Sequence, residues 1–230
     1  LQDSFQERVN QDQIRRTEDV LVGFNGWVRL GLATESFGSA TDAVLASAYA
    51  SNGTDLSPTQ SLFGSAWVSG RYEHGEIRNG TLGVEARYYL ETSARSKFFA
   101  DVSGTVTEQL DQDQQLALGG DTGLRGYPFA YQAGTAKALL TLEQRYYTKW
   151  YPFRLFHVAG AVFADSGRTW GTDVTGATSL GLLNDVGIGL RLGTSRSAFG
   201  NVLHIDLAFP LDGDKDIDSV QLVVETKARS

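Results

Sequence analysis

The chain has 230 residues, 41% of them hydrophobic, a formal net charge of -7, and neither Cys nor Met; that is enough for one domain with a real interior. The acidic balance argues against a nucleic-acid surface, and the missing cysteines exclude a disulfide framework. No run of eighteen apolar residues exists to make a transmembrane helix, although a transmembrane barrel needs only about ten alternating residues per strand.

Residues 1–17 are polar, with a few spaced apolar side chains, and read as a leader, a short helix or a partial strand; no signal-sequence pattern follows Leu1, so the chain is expected to be mature or to lack its start. From residue 18 to residue 230 the pattern has period two. Val20, Val22, Phe24, Val28, Leu30 and Leu32 share one face, opposite Gly23, Asn25, Trp27, Arg29 and Gly31. Val44 to Ala50 forms a weaker second strand. Leu62 to Tyr72 opposes Ser65, Trp67, Ser69 and Arg71, Leu82 to Leu90 opposes Gly83, Glu85, Arg87 and Tyr89, and a fifth strand opens at Phe98. A long loop follows, roughly Leu110 to Thr135. Beyond it Ala138 to Tyr146 opposes Lys137, Thr141, Glu143 and Arg145, and Phe156 to Val162 opposes His157, Ala161, Phe163 and Asp165. Val186 to Leu192, Leu203 to Phe209 and Val220 to Val224 complete ten strands. The expected fold is all-β: an antiparallel transmembrane β-barrel of about ten strands, with a long inward-folding loop between the fifth and sixth.

Aromatic residues support that placement. Tyr88, Tyr89, Phe98, Phe99, Tyr146, Tyr147, Trp150, Tyr151, Phe153 and Phe156 bunch at hairpin ends on one side, as in an interfacial girdle. Connections at 91–97 and 150–153 are short, whereas those at 111–135 and 171–181, on the opposite side, are longer. A soluble β-sandwich is the competing reading; its polar face should be rich in Lys and Glu rather than in aromatics and glycines.

The long loop contains Leu118-Gly-Gly-Asp-Thr-Gly-Leu-Arg-Gly-Tyr-Pro128, where glycines surround a single arginine. Such a backbone can approach a wall closely, and Arg125 must then reach an acceptor. Asp165 and Glu143 both have inward parity on consecutive strands, so they are its expected partners; a surface arginine in a mobile loop is the plainer alternative. The loop motif is Gly123, Leu124, Arg125, Gly126 and Tyr127, and the strand motif is Phe163, Asp165 and Gly167.

This pair of motifs, in this order and about forty residues apart, resembles the superfamily of outer-membrane barrels containing BamA, TamA and FhaC, the bacterial surface-antigen type. In that family a loop ending in Leu/Val-Arg-Gly-Phe/Tyr meets a Phe-x-Asp-x-Gly strand inside the barrel. The resemblance covers Leu116 to Leu211 well. It implies an outer-membrane location, membrane lipid as surroundings, no cofactor, no enzyme activity, and the insertion or translocation of other, unfolded protein clients. A structural barrel or small passive pore is the alternative. Ten strands stand here in place of the sixteen usual in the family, with no pattern of the periplasmic POTRA domains. Since ten strands enclose little more than their own inward side chains, a homo-oligomer or a larger barrel is expected.

Other constellations are weaker. His204 and Asp206 could suggest a hydrolase, but no nucleophile stands in a recognisable setting. Asp212, Asp214, Asp216 and Asp218 alternate as in a calcium loop, yet Ile217 occupies the position that needs glycine, so no metal site is expected. Gly119, Gly120 and Gly123 precede neither a Lys-Ser/Thr pair nor a helix, which rules out a phosphate loop.

Overall fold

Alternating apolar and polar side chains build one large antiparallel sheet. The computed structural model describes residues 4–111, 114–172, 179–195, 201–213 and 217–227. Their strands are β1 (Ser4–Val9), β2 (Thr17–Ala33), β3 (Ala43–Ser57), β4 (Gln60–Glu73), β5 (Glu76–Ser93), β6 (Ser96–Glu108), β7 (Leu116–Leu118), β8 (Gln132–Gly134), β9 (Ala136–Tyr147), β10 (Phe156–Trp170), β11 (Leu183–Thr194), β12 (Val202–Pro210) and β13 (Gln221–Lys227). Eleven of them make a sheet in the order β1-β2-β3-β4-β5-β6-β9-β10-β11-β12-β13, while β7 and β8 pair separately within the long loop. No helix of the described residues is long and apolar enough to cross a membrane.

Two expectations are corrected here. The sheet has eleven strands, not ten, because β1 forms within residues 1–17 and pairs with the first part of β2, Ser4 opposite Val22 and Val9 opposite Thr17. Only Phe5 and Val9 are apolar in β1, too few for alternation to register. The sheet is also not closed into a ring: among the described residues no ladder joins β13 to β1 or to β2. A ten-stranded ring has room for little beyond its inward side chains, and here the inner face also carries the long loop and the segment between β1 and β2.

The outer face is apolar in register. Val28, Ala48, Val68, Leu82 and Val106 form one row across β2 to β6, and Val162, Ile188, Leu207 and Leu222 another across β10 to β13. These side chains are open: Val28 is 73% exposed, Ile188 54% and Leu222 64%. Rows of exposed apolar side chains of this length mark an interaction surface, for lipid or for protein.

The inner face is polar and uses glycine as a seat for rings. Phe63 lies opposite Gly53, Trp67 opposite Gly83 and Phe163 opposite Gly187, and in each pair a Cβ on the glycine would fall within 2.7 Å of the facing ring. Flat rings laid over glycines restore packing that the bare backbone lacks. The aromatic cluster divides between the two faces. Tyr146, Trp150 and Phe153 are exposed, but Tyr89 and Tyr147 are buried on the inner side, because adjacent strand positions point to opposite faces. The β4–β5 connection is a two-residue turn with both His74 (φ 50°) and Gly75 (φ 85°) left-handed, the geometry that matches strand twist.

Candidate functional site

The site is built by the loop between β6 and β9 and by the inner faces of β9 to β12. Its root is tied down at Asp111, whose carboxylate accepts from Asn79 Nδ2 at 2.7 Å and Arg71 Nη1 at 2.9 Å. These two contacts, Asn79 first, hold the Asp111 carboxyl below its ordinary pKa. Further along, the Gly120 amide donates to both Leu124 O (2.9 Å) and Tyr127 O (2.8 Å), folding Leu124 to Tyr127 into one tight turn. Leu118, Leu124, Tyr127 and Leu183 pack into a solvent-free cluster, with Tyr131, Leu139 and Ile217 against it. Tyr127 donates to Asn184 O at 2.8 Å, and burial pushes its phenol pKa upward.

Two glycines are required by space and a third is tight. A Cβ on Gly123 (φ 131°) would lie 2.3 Å from Leu139 Cδ2, and one on Gly126 would lie 2.5 Å from Asp185 Cβ. On Gly167 it would press on Leu118 Cδ1 at 3.1 Å. The loop therefore reaches the wall at backbone distance on either side of Arg125.

Arg125, only 5% exposed, is saturated with acceptors. Its Nε and Nη2 donate to Asp165 Oδ2 and Oδ1 at 2.7 and 2.9 Å, a fork-on-carboxylate geometry. Its Nη1 donates to Glu143 Oε2 at 3.2 Å and to Asp206 Oδ2 at 3.0 Å. The guanidinium carbon lies 3.4 Å from the centroid of the Phe163 ring, a cation–π contact. Burial works against its charge, but Asp165, then Glu143 and Asp206, hold its pKa above the ordinary arginine value. The strand motif is thus three same-face positions with separate tasks: Phe163 stacks, Asp165 pairs, and Gly167 leaves room for Leu118.

The structure brings Arg125, Asp165 and Glu143 together, and it adds residues that sequence reasoning did not assign. Arg191 donates to Glu143 Oε2 at 2.9 Å and to Asp206, and Arg145 donates to Glu143 Oε1 at 2.8 Å. Asp185, opposite Asp165 in register, accepts the Gly126 amide at 2.9 Å. Like charges directly opposite destabilise a strand pair; here the loop covers both, with Arg125 on Asp165 and the Gly126 amide on Asp185. Arg191 and Asp206 share inward parity with Arg145 and Asp165, which was the available signal, but parity does not reveal height along the strand. Asp206, weighed with His204 as a hydrolase pair, is engaged by two arginines instead.

Asp212 accepts from the backbone and side chain of Asn184 at 3.1 and 2.7 Å; Asp214 and Asp216 lie outside the described residues. Among the described residues, no group of three or more His, Cys, Asp or Glu is placed to hold a metal ion. The arrangement consists of charge-assisted hydrogen bonds that hold a loop against a wall.

The comparison with curated proteins finds no match. The family model of the Omp85 superfamily domain matches residues 34–225, a span that includes the loop motif, the strand motif and, apart from Val28, the outer apolar rows. The chain therefore belongs to the Omp85 superfamily, that of BamA, TamA and FhaC.

Proposed function

We propose that this chain acts as an outer-membrane β-barrel component that inserts other proteins into the membrane or moves them across it. The observation that carries the reading is the division of the sheet into an exposed, in-register apolar face and a polar inner face on which Arg125 fixes a long loop. Lipid accepts the first face, since neighbouring strands pair along antiparallel ladders interrupted only by register shifts near Leu56, Gly70 and Thr92. Family membership supports protein assembly or secretion in general terms.

The free edges at the two ends of the sheet, β1 with the part of β2 that β1 does not cover and β13, need covering in lipid. Pairing with a second copy, or with further strands of a larger barrel, would supply this. In the working assembly the loop, from its Leu124-Arg125-Gly126-Tyr127 turn, projects into the lumen and keeps the wall in one shape.

Reconstitution in lipid vesicles tests this reading. A urea-unfolded small outer-membrane barrel protein, added to vesicles with and without this chain, should fold and insert faster where the chain is present. Unchanged insertion, together with steady ion conductance in planar bilayers, would replace the proposal with a passive pore.

A further inference from the structure

A second packed site lies on the inner face, apart from the loop. The segment between β1 and β2 folds onto the ends of β5, β6 and β9, and the wall grips it by its backbone. Lys97 Nζ donates to Val9 O at 3.0 Å, Tyr147 Oη to Asn10 O at 2.9 Å, and Arg145 Nη1 to Gln11 O at 3.1 Å. Three consecutive carbonyls thus meet three donors from two neighbouring strands. The amides of Gln11 and Asp12 are taken by Glu18, from the start of β2, at 2.9 and 3.0 Å.

We propose that Lys97, Arg145 and Tyr147 form a binding site for the main chain of an extended polypeptide, and that residues Val9–Gln11 fill it as an internal stand-in which a client displaces. The inference rests on the protein-handling reading above and names its recognition mode. Contacts to carbonyls are indifferent to side-chain identity, as a site for varied unfolded chains requires. The donors can also be vacated without stranding a charge: Lys97 keeps Glu91 at 3.0 Å and Arg145 keeps Glu143 at 2.8 Å. The segment is held by one apolar anchor in the buried cluster, Ile14 against Tyr147, Ala159 and Val202. Its turn also places Asn10 (φ 62°) and Arg15 (φ 54°) in the left-handed region, which weakens its grip.

The test uses the full chain in detergent and two fluorescein-labelled peptides, one with the sequence of residues 5–16 and one with the same residues in scrambled order. Ile14→Asp should unseat the segment by placing a charge in its apolar seat. Fluorescence anisotropy should then show both peptides binding with affinities within about threefold of each other, and at least about tenfold more tightly than to the unaltered chain. Adding Lys97→Met and Tyr147→Phe to Ile14→Asp should weaken both peptides by about tenfold or more. Gel mobility before and after boiling checks that each variant is folded; should Ile14→Asp fail, Glu18→Gln, which loosens the Gln11 and Asp12 amides, replaces it. The proposal is overturned if neither peptide binds, if Lys97→Met with Tyr147→Phe leaves binding unchanged, or if only the native order binds. Peptide binding without faster barrel insertion in vesicles would sink the function reading alone, and insertion without peptide binding would sink this one alone.

Discussion

Arg125 and Asp165 meet through two parallel hydrogen bonds of 2.7 and 2.9 Å, and of the three carboxylates that Arg125 bonds, Asp165 is the one with no second arginine among the described residues. Glu143 retains Arg145 and Arg191, and Asp206 retains Arg191, when Arg125 is removed. Arg125→Ala therefore strands Asp165, with Asp185 opposite it, and should cost loop docking about 3–5 kcal/mol. Asp165→Ala should cost less, because Arg125 keeps two acceptors. The double variant should lose no more than Arg125→Ala alone. Limited proteolysis of the loop measures all three; strictly additive losses would mean that Arg125 and Asp165 do not act as a pair.

A methyl group at position 126 tests the close approach itself. In Gly126→Ala the new Cβ meets Asp185 Cβ at 2.5 Å and Pro210 N at 3.0 Å, an overlap of the kind that costs about 1–3 kcal/mol. The loop should become protease-sensitive although Arg125 is intact. Gly64→Ala, whose Cβ would have its nearest neighbour at 3.9 Å, should leave proteolysis unchanged. Equal behaviour of the two variants would show that the loop does not rest on the wall at Gly126.

The unpaired edges at the β1–β2 and β13 ends of the sheet predict an assembly. Native mass spectrometry of detergent-extracted protein should show a mass above that of one 25.0 kDa chain, from a second copy or from further strands joined to this sheet. A lone 25.0 kDa species, stable and fully inserted, would require the two edges to pair with each other.

Much of the strand plan was legible because period-two alternation survives wherever one face meets an apolar medium: the rows through Val28 and Val162 can be read residue by residue. Parity also put Glu143 and Asp165 on the face that Arg125 reaches. Alternation gives the face of a residue but not its height or its cross-strand partner. Asp206, Asp185 and Arg191 were therefore visible as inward residues and not as members of one network. Residues 1–17 read equally as a leader, a short helix or a partial strand, because Phe5 and Val9 alone mark β1. The row of aromatics was read as one girdle because clustering in sequence cannot separate Tyr146, which faces out, from Tyr147, which holds Asn10.

Lipid contact of the outer face is the claim on which the rest depends, and spin-label accessibility measures it directly. The chain has no cysteine, so single labels can be placed at outward Val68, Val102, Leu140 and Ile188 and at inward Ser65, Ser103 and Thr141 in protein reconstituted into bilayers. The outward labels should collide freely with oxygen and poorly with a water-soluble nickel chelate, and the inward labels should not share that preference. Outward labels as open to the nickel chelate as those on a soluble protein would contradict the membrane-spanning account.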